Sequence, residues 1–156
     1  MRGLKAITVC AAVMGVALGG AWQVAAAPAP VSPTQRAVQT ALDASAAAWN
    51  AGDLDGFMAV YDRAPGTTYV SSSHFERGYD AIRAMYAARF GGGTRDAMGQ
   101  LSIEILDCRV LAAHRAYVIG RFHLHRSPAA GGDASGFTTL VFAQTPLGWR
   151  IIADHS

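Results

Sequence analysis

Hydrophobic residues after position 33 are first spaced as they are in helices. A mainly apolar stripe recurs three or four positions apart, which places its members on one helix face: Val38, Leu42, Ser45 and Trp49. Ser32 can cap the first turn and Pro33 suits the first helical position. We therefore expect a long first helix from about residue 33 to Asn50.

Two shorter helices are predicted downstream. Asn50 and Gly52 favour the left-handed backbone that ends a helix, and Asp53 can cap the next one, over about 54–61. The apolar face of this helix carries Leu54, Phe57, Met58 and Tyr61. A third helix, over about 80–90, is ended by the glycines at 91–93. Its apolar face carries Ile82, Met85, Tyr86 and Phe90.

The second half of the chain has the two-residue alternation of half-buried strands. Leu101, Ile103 and Ile105 alternate with Ser102 and Glu104. The other predicted strands are an early one over 67–72 and three later ones over 116–126, 136–144 and 149–155. Because helices come first and antiparallel strands follow, the sequence predicts an α+β domain.

The N-terminus has the order of a secretory signal peptide. Arg2 and Lys5 precede an apolar run over 6–21, and small residues follow at 25–27. We expect a signal peptide over 1–27, a linker over 28–33 and one domain over 34–156. The alternative is an uncleaved membrane anchor, for which the apolar run is a little short. The processed protein is expected in the periplasm or outside the cell, with no membrane contact.

Removal of that segment changes the charge balance of the chain. It takes away Arg2 and Lys5, which leaves eleven arginines against eleven acidic residues. A formally neutral domain lacks the basic surface that nucleic acid requires. Cys108 is then the single cysteine, so an intrachain disulfide is impossible and a small buried hydrophobe is the expected role. We expect neither a metal nor another cofactor.

The segment from Trp49 to Tyr61 resembles the nuclear transport factor 2-like superfamily. This segment includes the run Asn-Ala-Gly-Asp-Leu-Asp-Gly over 50–56. The resemblance continues through 77–86 and 149–156 and covers the chain after residue 33. The superfamily includes ketosteroid isomerases, SnoaL-like cyclases and the association domain of calmodulin-dependent kinase II. It implies a cone-shaped, curved antiparallel sheet wrapped around the first helix, a cystatin-like α+β barrel with a cavity.

The ketosteroid isomerases imply where catalytic groups would lie. Their oxyanion tyrosine falls on Ser45, and their base aspartate falls near Tyr69 or Thr68. Their supporting tyrosines match Tyr61 and Tyr86, whereas the strand over 137–143 offers no carboxylate for the protonated aspartate. A SnoaL-like aldol cyclase also needs a base in the cavity, and none is obvious. The resemblance therefore implies a binding cavity without the isomerase residues.

The polar residues that are candidates for a site lie on strands. The sequence does not decide which face of each strand points into the cavity. One face of the strand over 116–126 carries Tyr117, Ile119, Arg121, His123 and His125. This face either meets solvent or a dimer partner, or it places Arg121 and His123 in the cavity. His155 shares a face with Trp149 on the last strand, and its imidazole is a candidate acid or base. His123, His125 and His155 could hold zinc, but His-x-His pairs are common without metal.

We interpret the chain as an exported module that binds a small molecule, with an anionic ligand as one option. The predicted ligand-binding residues are Trp49, Tyr61, Tyr69, Tyr86 and Arg121. One alternative is a lyase, isomerase or cyclase that uses His123 or His155 as acid or base; another is an assembly domain. Apolar residues on both strand faces, such as Leu140 beside Val141 and Ile151 beside Ile152, predict a homodimer.

Overall fold

Residues 31–91 and 94–156 are described here from a computed structural model, and in them all four α-helices precede the four longer strands. The helices are α1 (Pro33–Asn50), α2 (Leu54–Met58), α3 (Tyr79–Arg89) and α4 (Arg95–Met98), with a 3-10 turn at Pro128–Ala130. The strands are β1 (Thr68–Val70), β2 (Phe75–Arg77), β3 (Gln100–Ala112), β4 (Arg115–His125), β5 (Ala134–Thr145) and β6 (Gly148–His155). The predicted α+β class is confirmed.

The first helix forms as its sequence predicts. The Ser32 hydroxyl accepts a hydrogen bond from the Gln35 backbone N–H, and Pro33 occupies the first turn. The predicted stripe from Val38 to Trp49 is buried. At the far end, the Asn50 side chain bonds both backbone groups of Leu101, donating to its carbonyl and accepting from its N–H. This pair of bonds ties the end of α1 to the start of β3.

The second and third helices differ from prediction at their ends. The Asp53 carboxylate caps α2 by accepting from the Gly56 N–H, but the helix ends at Met58 instead of reaching Tyr61. Tyr61 instead forms a parallel bridge with Ile151 of β6. Helix α3 begins at Tyr79 and ends before Phe90, and the following Gly91 has the left-handed backbone that the glycine run predicts.

The six described strands form one curved, unclosed sheet in the order β2-β1-β6-β5-β4-β3. All neighbours are antiparallel except β1 and β6, which run parallel. Phe75–Arg77, which the sequence did not predict as a strand, forms β2 and pairs with β1. Cys108 is half-buried on β3, and burial raises the pKa of its thiol, as suits a packing role.

One face of the sheet packs on α1 and the other faces outward. On β4 the buried face carries Ala116, Val118, Gly120 and Leu124. The opposite face carries Tyr117, Ile119, Arg121, His123 and His125. This decides between the two arrangements that the sequence left open, in favour of the apolar set as the inner face.

A β-bulge on β6 changes which residues of the last strand point inward. Phe142 pairs with Ile151 and Val141 pairs with Ala153, so Ile152 is left without a cross-strand partner. The extra residue reverses the alternation. Trp149 and Ile151 are buried before the bulge, and Asp154 is buried after it.

The predicted signal peptide at 1–27 and the first part of the linker, to residue 30, lie outside the described residues. Within 31–91 and 94–156, no helix is both long enough and apolar enough to cross a membrane.

Candidate ligand-binding cavity

A cavity of about 130 Å³ lies between the helices and the inner face of the sheet. Most of its wall is apolar or aromatic, as is common for sites that bind small molecules. The aromatic lining residues are Trp49, Phe57, Tyr61, Tyr69, Tyr86, Phe90 and Phe122. The polar lining residues are Ser45, Arg89, Arg126, Thr138, Asp154 and Ser156.

The aromatic wall is built around Tyr86 of α3. Its ring centroid lies 5.0 Å from that of Phe57, 5.7 Å from Tyr69 and 6.0 Å from Phe90. Trp49 packs edge-on against Phe57 and Phe90, and its indole N–H donates to the Met98 carbonyl at 2.9 Å. These contacts, edge-to-face except for the stacked pair of Tyr86 and Phe90, fix the rings relative to one another and define the cavity's shape.

A chain of hydrogen bonds crosses the polar side of the cavity. Tyr86 and Tyr61 are joined through their hydroxyls at 3.2 Å, and Tyr61 donates to Oδ2 of Asp154 at 2.5 Å. Oδ1 of Asp154 lies 2.6 Å from the Ser156 hydroxyl, which lies 2.8 Å from the Thr138 hydroxyl. We call these five residues the hydroxyl–carboxyl network. It connects α3, the segment after α2 and the end of the sheet.

Burial dominates the electrostatics of this network. It raises the pKa of the Asp154 carboxyl, since a charge is poorly solvated there; hydrogen bonds from Ser156, Tyr61 and Thr138 oppose the effect. Burial and then the nearby Asp154 charge raise the pKa of Tyr61 and of Tyr86 well above the usual value for tyrosine. Burial also raises the pKa of Tyr69. The tyrosines are thus uncharged donors, and Asp154 keeps its proton to a higher pH than an exposed aspartate does.

The position to which the resemblance assigns an oxyanion donor has a structural role instead. Ser45 is buried on α1, and its hydroxyl donates to the Phe57 carbonyl at 2.9 Å. That proton is therefore committed to holding α2 against α1.

Four of the five predicted ligand-binding residues line the cavity: Trp49, Tyr61, Tyr69 and Tyr86. The prediction that Arg121 lies there is wrong. Arg121 is exposed on the outer face of β4, where its guanidinium carbon lies 4.8 Å from the centre of the Phe137 ring. The two arginines that do line the cavity, Arg89 and Arg126, lie 5.4 and 5.6 Å from the Phe90 ring.

The residues predicted as candidate acids or bases also lie outside the cavity. His123 and His155 are exposed on the outer face, His155 because the bulge at Ile152 shifts the alternation of β6. His125 pairs with Asp133 at 2.7 Å on the surface. In the part of the chain described, no three acidic, histidine or cysteine side chains gather as a metal site would need.

Sequence reasoning missed Asp154, the buried acid of the cavity. Regular alternation from Trp149 and Ile151 places His155 inside and Asp154 outside, and only the bulge reverses this. No local signal in the sequence marks this bulge, because it arises from the pairing of β6 with β5.

A family model described as a SnoaL-like domain matches residues 42–145. No curated protein matches the sequence.

Three solved structures share the fold. An NTF-2-like protein of unknown function from Shewanella oneidensis is 28% identical, with a TM-score of 0.70, over 77% of this chain and 95% of that one. A calcium/calmodulin-dependent protein kinase type II association domain from Thiobacillus denitrificans is 24% identical, with a TM-score of 0.60 over 81% and 95%. A ketosteroid isomerase-like protein from Erwinia carotovora is 16% identical, with a TM-score of 0.58 over 77% and 92%.

Proposed function

The chain belongs to the SnoaL-like domain family, and on that basis we propose that it binds a small, mainly apolar molecule in the cavity. The observation that carries the proposal is the cavity itself, whose wall is aromatic and aliphatic except for the hydroxyl–carboxyl network, Ser45 and two arginines. Trp49, Tyr61, Tyr69 and Tyr86 form much of that wall. An apolar cavity of about 150 Å³ accepts benzene. The volume here, about 130 Å³, suits a ligand body of similar size.

A matched pair of variants tests this proposal. Ala134 lines the cavity opposite Leu124 on β4, so Ala134→Phe should fill the space, whereas Ala113→Phe adds the same ring at an exposed turn. Ligand-detected NMR with small cyclic ketones and alkenes should show binding to the wild type and to Ala113→Phe. It should show none to a folded Ala134→Phe. Equal binding to all three proteins would place the ligand elsewhere and refute the proposal.

A second candidate function is a lyase or isomerase that moves a proton. It is favoured by Asp154, a buried carboxyl with a raised pKa in a cavity, which is a common arrangement for a general acid or base. Asp154 takes the role that the sequence suggested for His123 or His155. In deuterated water, the wild type should replace the protons next to the carbonyl of cyclohexanone with deuterium faster than Asp154→Asn does. Equal rates would refute the catalytic candidate and leave ligand binding as the function.

We further propose that the protein is exported. The charged, apolar and small-residue order of positions 1–27 supports this. Mass spectrometry of the protein expressed from its full sequence should find a chain that begins near Ala27 or Pro28. A full-length chain retained in the cytosol would contradict it.

A homodimer is proposed from the outer face of the sheet. Tyr117, Ile119 and Val141 are half-buried there, and Phe137 is 63% exposed. A sheet with apolar residues on both faces is usually covered on both. Such a dimer would also be consistent with the assembly-domain alternative.

A further inference from the structure

An open groove of about 680 Å³ lies beside the cavity. Four residues line both spaces, so the cavity and the groove meet at these side chains: Tyr69, Arg89, Phe122 and Ser156. The cavity itself holds about 130 Å³, which a single six-membered ring fills. A larger ligand whose ring lies in the cavity would extend past these four residues into the groove.

The groove differs from the cavity in its polar wall. Its polar side chains come from β2, from the loop before it and from α3, and they are Ser71, Ser72, Ser73, His74, Glu76 and Arg89. The loop is ordered by its own hydrogen bonds. The Ser71 hydroxyl accepts from the His74 backbone N–H at 3.2 Å, and the Ser73 hydroxyl lies 2.9 Å from Nδ1 of His74. Hydroxyls, a carboxylate and a guanidinium therefore border one space.

The two charges of the groove both lie close to Tyr69. Glu76 on β2 pairs with Tyr69 on β1, so their side chains share one face of the sheet. Burial raises the pKa of the Tyr69 hydroxyl, and hydrogen bonds from Ser71 and Arg89 oppose that rise, which places Arg89 at the same hydroxyl. Among the described residues, the ion pairs include neither Glu76 nor Arg89. The groove thus offers one strong acceptor and one strong donor of opposite charge.

An apolar strip completes the groove. Met85 and Ala88 of α3 and the half-buried Phe122 of β4 form it. The Phe122 ring lies over Gly136 of β5, where an added Cβ would come within 2.9 Å of the ring, so this glycine leaves room for the ring. A wall of apolar surface with a few placed polar groups fixes both the position and the orientation of a ligand. This combination suits a ring with C–H faces and hydroxyl edges.

We propose that the cavity and the groove form one two-part site, whose ligand joins a small apolar ring to a neutral, hydroxyl-rich group such as a sugar. The apolar ring fills the cavity. In the groove, Glu76 accepts a hydrogen bond from one hydroxyl and Arg89 donates to another, because a hydroxyl serves as donor and acceptor. Single charges of opposite sign favour a neutral group over an anion or a cation. The inference rests on the proposed binding function and adds the second half of the ligand.

Three compounds test the two halves of the site separately. Cyclohexyl β-D-glucoside carries both the ring and the sugar, methoxycyclohexane carries the ring and the ether oxygen alone, and methyl β-D-glucoside carries the sugar alone. Their dissociation constants are measured by NMR titration. The wild type should bind cyclohexyl β-D-glucoside at least about tenfold more tightly than methoxycyclohexane, the size expected for one hydrogen bond to a charged group. Methyl β-D-glucoside should bind more weakly than cyclohexyl β-D-glucoside, because it leaves the cavity empty.

A matched pair of variants tests the placement of the sugar. Glu76→Leu removes the acceptor from the groove, whereas Glu104→Leu makes the same change at an exposed position of β3, opposite Arg121. Glu76→Leu should lower the preference for the glucoside over methoxycyclohexane by about tenfold. Its dissociation constant for methoxycyclohexane should not change, since Glu76 does not line the cavity. Glu104→Leu should keep the preference of the wild type, and circular dichroism checks that both variants fold.

The outcomes separate this inference from the function on which it rests. If the wild type binds the glucoside and methoxycyclohexane equally well, the inference is refuted and the binding function stands. If it binds neither, both fail. Equally tight binding of methyl and cyclohexyl β-D-glucoside would show that the groove acts without the cavity, which refutes the two-part site. An unchanged preference in a folded Glu76→Leu would also overturn the inference, because the sugar would then lie outside the groove.

Discussion

Tyr61 and Asp154 lie 93 positions apart in the sequence, yet the tyrosine hydroxyl donates a hydrogen bond of 2.5 Å to Oδ2 of the carboxyl. The bridge between Tyr61 and Ile151 places the tyrosine beside the strand that carries Asp154. Both residues are buried. The pair therefore joins the turn after α2 to the end of the sheet and forms the centre of the cavity's polar side.

Loss of this bond should destabilise the protein. Tyr61→Phe keeps the ring but leaves Oδ2 of Asp154 without its donor, so the free energy of unfolding should fall by about 1–3 kcal/mol. Urea unfolding followed by circular dichroism measures it. Tyr117→Phe, on the outer face, is the matched control and should change stability by less than about 0.5 kcal/mol. Equal effects of the two variants would contradict the assigned role of Tyr61.

Asp154 should make stability depend on pH in a defined direction. Burial raises its pKa in the folded state, so the folded protein holds the proton more tightly than the unfolded chain does. Its contribution is fully present below the unfolded pKa, about 3.9, and is lost as pH rises through the folded pKa. Between the unfolded and the folded pKa of Asp154, the free energy of unfolding of the wild type relative to that of Asp154→Asn should fall by about 1.4 kcal/mol per pH unit.

This pH dependence is measured as a difference between two unfolding curves. Subtracting the free energy of unfolding of Asp154→Asn from that of the wild type at each pH removes the contributions of the other acids. Asp55 is one of these, and the Arg83 guanidinium beside it lowers the pKa of its carboxyl, which has the opposite sign. A difference that grows with pH would mean that Asp154 is held charged in the folded protein.

The bonds between Asn50 and Leu101 should also contribute to stability. The amide oxygen accepts from the Leu101 N–H at 2.6 Å and the amide nitrogen donates to its carbonyl at 3.0 Å. Asn50→Ala removes both and should lower the free energy of unfolding by about 1–3 kcal/mol. Gln39→Ala removes an exposed amide on the same helix, where Gln39 bonds Asp43, and should be nearly neutral. Similar losses for the two variants would show that the tie to β3 is unimportant.

Local signals in the sequence were sufficient to predict α1, α2, α3 and most strands, but not the four-residue helix α4. The Ser32 and Asp53 caps act within three residues of their own positions, and the stripe on α1 follows from helical spacing alone. The end of α2 was misjudged because Tyr61 is drawn into a bridge with Ile151, a contact between distant segments. A spacing of apolar residues cannot reveal that competition.

The candidate site was harder to predict because it depends on strand facing. Arg121 and Leu124 occupy opposite faces of β4, and alternation alone leaves open which face meets α1. On β6, the bulge at Ile152 then reverses the facing of Asp154 and His155. Nothing in the local sequence around Ile152 marks the bulge, since it arises from pairing with β5.

Arg121 should have no part in binding to the cavity. Its side chain lies on the outer face of β4, beside Phe137. Arg121→Ala should therefore leave the dissociation constant for cyclohexanone unchanged within about twofold, a difference below the worth of one hydrogen bond. The NMR titration used for the wild type measures it. A tenfold weakening by Arg121→Ala would mean that the ligand binds on the outer face.

The outer face also gives the basis for a prediction about assembly. Phe137 is 63% exposed on β5, one of the two central strands of the sheet, and the half-buried Tyr117, Ile119 and Val141 lie on the same face. If a second copy covers this face, Phe137→Glu removes the apolar ring from the interface and buries a carboxylate beside Arg121, and the cost of desolvating both charges can exceed their attraction. Light scattering at micromolar concentration should give a dimer mass for the wild type and a monomer mass for Phe137→Glu.

A second exposed phenylalanine supplies the control for this experiment. Phe75 is 60% exposed on β2 at the edge of the sheet, so Phe75→Glu makes the same chemical change away from the central strands. It should leave the dimer intact, because charged residues are well tolerated on an exposed edge strand. Dissociation by both variants would indicate a general loss of stability, which circular dichroism would detect. A monomeric wild type would refute the homodimer, and the apolar outer face would then need a different partner to cover it.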